Sequence, residues 1–464
     1  MNGSELGQIT TDDQGMIPAF MGPEGAELLW VDFGGGRVAI TPVDVGTRLQ
    51  AHTANLVPDP HGDRAYADST FVRLVDAGWL VTPNGRATGR GVTVPRAWGE
   101  FWRPARSAAR GGTGRATVAV IGGSTAVGFY ASHLRNTSWP GVLASRLQAL
   151  HGDGGAGFLS ALYSPNGIAG NDQAAINQWM SNGSIGAQTG TWGIGGYQVG
   201  PGWGYLYTST SGSSLTWTVR GTSVTIYTLG GDGSRSSWSY SIDGGTAVSV
   251  SDSTTTGLAV VKTTVSGLAA GSHTVTVTHT GTASQYLSVC GVSGENTSGV
   301  VLNNFAKRNA NASHYLPAGK AEWNGGSLYP ADLLIYAVSP QDVIDGISAD
   351  TWASQVRRHL SEVKDGGLAL GAVDIVFVLP HIGKADFQGQ RFQAFADRTY
   401  ALAAQFEAAV VDLWNLGRSS WNFSNSLGHW GNPAAPGTAG TDDFLLSDAG
   451  HAFTAGALAD LLNS

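Results

Sequence analysis

Five stretches of this chain are largely apolar without the in–out alternation of a half-buried strand: Ala116 to Ile121, Val300 to Leu302, Ala331 to Val338, Asp374 to Leu379 and Ala409 to Leu413. A strand with one solvated face alternates; one buried on both faces does not need to, and that is the situation inside a parallel sheet covered by helices. The segments between them supply the covering helices. Trp139 to Leu150, Ala349 to Lys364, Ala385 to Ala408 and Ala452 to Leu462 carry helical apolar spacing. Strand, helix and strand in this order predict an α/β fold, a flavodoxin-like three-layer domain.

That pattern breaks off near His151 and does not resume until about residue 296. Within the gap lie Ser214 to Val219, Ser223 to Thr228, Ser236 to Ile242, Ala247 to Val250, Val260 to Val265, Ser272 to His279 and Tyr286 to Gly291. These are short alternating runs separated by glycine turns such as Asp243-Gly244-Gly245, the signature of an all-β sandwich or jelly roll. The composition agrees: 67 glycines with only 13% charged residues suits a chain rich in tight turns. The α/β domain is thus expected in two parts, 113–186 and 299–464, around a β-sandwich insert at 187–298.

Residues 1–112 fit neither pattern. Glu27 to Phe33, Gly34-Gly35-Gly36 and Arg37 to Ile40 predict a β-hairpin. A stretch this irregular does not bury a core by itself, so it is expected to be an arm docked on other chains. It resembles the N-terminal attachment region of minor tail proteins from phages of actinobacteria, through Ile17-Pro18-Ala19-Phe20-Met21-Gly22-Pro23, the hairpin, and Pro60-His61-Gly62-Asp63-Arg64-Ala65-Tyr66. That resemblance implies a virion component made in the host cytoplasm, with other tail proteins as partners and a homo-oligomer, a trimer by analogy with tail fibres.

Bulk properties exclude several alternatives. A net charge of −8 argues against nucleic acid as a partner. A single cysteine, Cys290, rules out an intrachain disulfide and any zinc site built on cysteines, and its alternating surroundings predict a buried small side chain. No metal or cofactor is implied. The first residues lack a signal-peptide pattern, and no apolar run approaches the roughly 20 residues of a bilayer span.

Four ordered blocks carry a second resemblance, to the SGNH (GDSL-like) hydrolases. Val120-Ile121-Gly122-Gly123-Ser124 sits where that family ends its first strand in G-D-S, which places Ser124 at the nucleophile and Gly123 at the Asp. In Leu302-Asn303-Asn304-Phe305-Ala306-Lys307-Arg308-Asn309, Ala306 stands at the oxyanion-hole glycine and Asn309 at a second one; Gly167, in Asn166-Gly167, is a rival for the oxyanion position. Ser339-Pro340-Gln341-Asp342 puts Gln341 where the family has its oxyanion asparagine. Asp442-Asp443-Phe444-Leu445-Leu446-Ser447-Asp448-Ala449-Gly450-His451 keeps the catalytic Asp as Asp442 but has Leu445 at the base. Leucine accepts no proton. Three histidines stand as substitutes: His451 oriented by Asp448, the loop residue His429, and His381.

With several blocks altered together, the expected role is a phage tail receptor-binding protein. It would recognise host cell-surface glycan through an inactive hydrolase-like domain, with Trp192, Trp203, Tyr205, Tyr207 and Trp238 as candidates to stack on sugar rings. An active serine esterase, a deacetylase of acylated envelope polysaccharide, and a purely structural tail component are the alternatives.

Overall fold

The computed structural model describes residues 91–161, 187–195, 200–231, 233–252, 259–315, 331–364, 373–381, 389–417, 421–432, 434–441 and 445–464, with the backbone of 29–32, 37–40, 80–81 and 87–89. The chain divides into two compact units, Met1–Arg73 and Leu74–Ser464. In the first, Leu29–Asp32 and Arg37–Ile40 pair antiparallel with Leu29 opposite Ile40 and Asp32 opposite Arg37. The remainder of the expected arm up to residue 79 lies outside the described residues.

The second unit is built on a parallel sheet. Its strands are β1 (Arg115–Ile121), β2 (Gly299–Asn304), β3 (Leu333–Ala337), β4 (Asp374–Leu379) and β5 (Ala409–Asp412). They lie in the order β2-β1-β3-β4-β5. The order reverses beside β1, which is where open α/β sheets bind ligands. The helices are α1 (Trp102–Arg110), α2 (Ser124–Val127), α3 (Trp139–His151), α4 (Pro340–Ile344), α5 (Ala349–Lys364), α6 (Gly389–Phe406) and α7 (Asp448–Asn463).

Successive side chains of a strand point to opposite faces, and the two faces build two cores. Val118, Val120, Ile335 and Val378 pack with Leu143 of α3 and Leu458 of α7. Ala119, Ile121, Tyr336 and Phe377 pack with Trp352 of α5 and Phe395 of α6. Both faces are apolar, which is why these strands read as continuous runs.

Two antiparallel sheets occupy the chain between β1 and β2. One runs in the order Ala259–Ser266, Ser223–Gly230, Leu287–Glu295, Leu206–Thr208, Gly193–Ile194; the other Val248–Ser251, Ser237–Ile242, Ser272–His279, Ser214–Arg220, Ala187–Thr189. They share a core of Trp192, Trp217, Trp238, Val224 and Val292. The outer face of the first sheet does not meet solvent throughout. Tyr227, Leu229 and Cys290 join the α/β core beside Phe158 and Phe305. Leu287–Glu295 is therefore buried on both faces along nearly its whole length.

Two expected boundaries move. Residues 91–110, assigned to the arm, belong to the α/β sheet: Val92–Thr93 pairs antiparallel with β5. Asp374 accepts from the amides of Gly99, Phe101 and Trp102 at 2.7–2.9 Å, and Trp98 Nε1 donates to Ile375 O at 3.0 Å. Two fully buried indoles and a carboxylate aimed at the first turn of α1 hold this stretch in place. Likewise Gly157–Ser160, expected in the α/β part, pairs with Leu287–Glu295. No described helix is long and apolar enough to cross a membrane.

Candidate active site

Ser124 stands at the C-terminal end of β1, as the first residue of α2, with Gly123 as the N-cap. It is partly exposed. The chain here is a sharp strand-to-helix turn, the geometry that lifts a serine hydroxyl clear of its own backbone. Tyr315 fixes the approach to it: its hydroxyl accepts from Gly122 N at 3.0 Å and donates to Gly122 O at 2.5 Å. Tyr315 is buried, and burial pushes its phenol well above the ordinary range.

The loop after β2, here called the strap (305–315), closes over this turn. Phe305 N donates to Val120 O at 2.8 Å and Lys307 N to Gly122 O at 3.0 Å. Two residues further on, Asn309 N donates to Ser124 Oγ at 3.3 Å. Asn309 has φ +56°, in the left-handed region, where asparagine is one of the few tolerated residues. The strap thus places one backbone N–H donor beside the serine hydroxyl.

The same neighbourhood explains Gly123. A Cβ at that position would overlap Ser339 Oγ and press on Ser339 Cβ. Ser339 ends the segment after β3 and caps α4, its Oγ accepting from Gln341 N at 3.1 Å. The aspartate that the SGNH motif carries at position 123 has no room here.

The other expected oxyanion residues do not reach the serine. Ala306 is 3% exposed, and its amide is spent on Asn304 Oδ1 at 3.0 Å. Gln341 Nε2 donates to Asp345 Oδ1 at 2.7 Å. Gly167, the rival candidate, lies outside the described residues. The amide in place belongs to Asn309, which the motif alignment put at the second glycine. Its capacity for positive φ was the signal that marks it.

The C-terminal motif diverges further. Asp442 lies outside the described residues, and Leu445 is buried. His451, expected as a substitute base, is fully buried, with both ring nitrogens committed to backbone: Nδ1 accepts from Trp139 N at 3.2 Å and Nε2 donates to Phe129 O at 3.2 Å. That pattern fixes a neutral ring, and burial lowers its pKa to about 4. Its presumed orienter, Asp448, accepts instead from Ser132 N at 2.8 Å and Ser132 Oγ at 2.5 Å. His451 is a tie between α7 and the start of α3, not a proton acceptor for Ser124.

His381 and His429 lie beside each other, rings 5.5 Å apart at 64°, with Phe453 against His429 at 4.6 Å. Burial lowers both, His381 to about 3 and His429 to about 4. Among the described residues, neither ring nitrogen of His381, nor Nδ1 of His429, has a hydrogen-bond partner. A cavity of about 20 Å³, room for one water molecule, separates this corner from α2; it is lined by Thr125, Val338, Pro380, His381, Leu446 and Thr454. Among the described residues, no group of three His, Cys, Asp or Glu gathers to hold a metal ion.

The proposed sugar-stacking aromatics are core as well. Trp192, Trp203, Tyr205 and Trp238 are at most 4% exposed, and Tyr207 is half-buried.

No family model matches the chain, and no curated protein matches it by sequence. Among solved structures, one described as a peptidoglycan O-acetylesterase superposes with a TM-score of 0.55 at 18% identity, covering 78% of this chain and 95% of that one. The two chains share a fold. Family two carbohydrate esterases from Clostridium thermocellum and Cellvibrio japonicus match at TM-scores of 0.27, with 12% and 13% identity. They cover 56% and 60% of this chain and 94% and 93% of theirs, too loosely for any argument to rest on them.

Proposed function

We propose that this chain is a serine esterase of acylated polysaccharide, with Ser124 as nucleophile. The observation that carries the reading is the Asn309 amide held on Ser124 Oγ at the turn after β1. In that arrangement Oγ attacks an ester carbonyl, the developing oxyanion meets a fixed N–H donor, and the sugar hydroxyl leaves. The described half of the site thus supports carbonyl addition. The proton must pass to a base and on to the leaving sugar. With His451 committed to backbone, His429 is the histidine this reading assigns, since its Nδ1 has no partner. The likeness to a structure described as a peptidoglycan O-acetylesterase supports an O-acetylated envelope glycan as substrate.

A second reading is a tail-borne receptor-binding protein that holds such a glycan without cleaving it. Its support is the buried Leu445 at the family's base position together with the committed ring of His451. One experiment separates the two. The full chain is treated with a fluorophosphonate probe and, in parallel, with O-acetylated cell-wall polysaccharide, and acetate release is followed. The esterase reading expects labelling and acetate release that both vanish in Ser124→Ala. Glycan retention with neither labelling nor acetate leaves the receptor reading standing.

A further inference from the structure

Whatever holds the strap sets the geometry at Ser124, because the strap carries the amide that reaches Oγ. Beyond the backbone bonds of Phe305 and Lys307, three side-chain ties hold it. Tyr315 locks its far end to Gly122. Inside, Asp342 Oδ1 accepts from Ala312 N at 2.8 Å, with the Asp342 side chain buried. Outside, Asp345 receives two donors, Asn311 Nδ2 on Oδ2 and Gln341 Nε2 on Oδ1, both at 2.7 Å.

Asp342 and Asp345 are three residues apart along α4 and its C-cap, so they fall on one face of the helix. That face is turned to the strap. The N-cap of the same helix, Ser339, abuts Gly123. Helix α4 and its caps therefore touch Gly123, the residue before Ser124, and Asn311 and Ala312, two and three residues past Asn309.

We propose that Asp342 and Asp345 are positioning residues that aim the Asn309 amide at Ser124 Oγ, and that Gln341 contributes through Asp345 instead of donating to substrate. A carboxylate suits the outer tie because it offers two acceptor oxygens to two donors. Asparagine there would lose one tie and set two donors against each other. The inner tie needs only one acceptor, which asparagine at 342 supplies. A misplacement of about 1 Å near a reacting centre costs on the order of a hundredfold in rate, so slackening one tie of three is expected to cost roughly tenfold.

The test reads two quantities on the full chain: the rate constant for fluorophosphonate labelling of Ser124, and amide hydrogen exchange across 307–312. Asp345 is exposed, so Asp345→Ala threatens folding little. The expected result is labelling about tenfold slower, exchange at Asn309 faster by a similar factor, and an unchanged unfolding midpoint. Asp345→Asn is expected to lie between wild type and Asp345→Ala. Asp342→Asn is expected to recover most of what Asp342→Ala loses. The kinetic arm rests on the esterase reading; the exchange arm does not. If the wild type takes no label, the esterase reading fails and exchange alone decides. Unchanged exchange at Asn309 in Asp345→Ala overturns the proposal whatever the labelling shows.

Discussion

The two sides of the Ser124 turn are built from similar materials to opposite ends. On the strap side, Tyr315, Asp342, Asp345 and Asn311 all bond to backbone or to one another so that one amide faces the hydroxyl. On the histidine side, His451 ties α3 to α7, Asp448 serves Ser132, and among the described residues neither nitrogen of His381 has a partner. The comparison teaches that holding a backbone donor beside the serine and presenting a ring nitrogen to it place different demands on the chain. The first depends on backbone amides, which many side chains can support. The second depends on where an imidazole stands; the motif position holds Leu445, and the esterase reading turns to His429.

The largest expected consequence concerns acid. Burial lowers His359, His429 and His451 to about 4 and His381 to about 3. In the unfolded chain these rings take up protons near the ordinary 6.5. Their stabilising contribution is therefore complete above 6.5 and is lost as pH falls toward 4, each ring losing about 1.4 kcal/mol per pH unit. Groups whose pKa is raised in the fold oppose this, Asp252, Asp332 and Asp412 among them through burial. Asp342, raised to about 7 by burial, favours the fold increasingly as pH drops below 7. His273, raised by its hydrogen bond to Asp243, contributes below 6.5 and fades above its raised pKa. With the four deeply buried rings dominating, stability is expected to fall between about pH 7 and pH 5. Urea unfolding at those two pH values checks it; equal free energies would contradict the burial of the histidine corner.

Next in size is a contrast between two histidines. His451→Ala strips partners from a buried amide of the first turn of α3 and from a buried carbonyl, and leaves a void. The expected loss is about 3 kcal/mol. His381→Met fills similar space while removing two unpaired polar atoms, so it should be neutral or stabilise by up to about 1 kcal/mol. Chemical denaturation of both variants measures the difference. A His381 variant as costly as the His451 one would mean that His381 has a partner in the folded protein, and the contrast between the corners would dissolve.

The legible and illegible parts of this chain follow the same division. The apolar runs of β1, β3, β4 and β5 were readable because burial on both faces leaves no room for alternation. Ser124 was readable because a strand running into Gly-Gly-Ser and then a helix leaves few other conformations. The histidine corner was not: Asp448 and His451 have the spacing of an acid–base pair, but spacing along a helix does not say which way a ring turns, and here it turns into the core. The sheet edge at Val92–Thr93 was missed because two residues carry no periodicity.

The strap amide beside Ser124 gives the smallest expected effect. Alignment favoured Ala306 because the family's glycine falls there, whereas backbone geometry selects Asn309, the strap residue with positive φ. If the contact depends on that conformation alone, Asn309→Gly should keep it. Glycine reaches φ +56° without strain but costs more order on folding, and the two effects nearly cancel, leaving stability within about 0.5 kcal/mol of wild type and labelling of Ser124 unchanged. Asn309→Ala keeps the amide but resists the left-handed conformation by about 1 kcal/mol. It should unseat the strap locally and slow labelling, with little change in the unfolding midpoint. If alanine and glycine behave alike at 309, the amide is not held by this backbone conformation, and the preserved side of the site loses its physical basis.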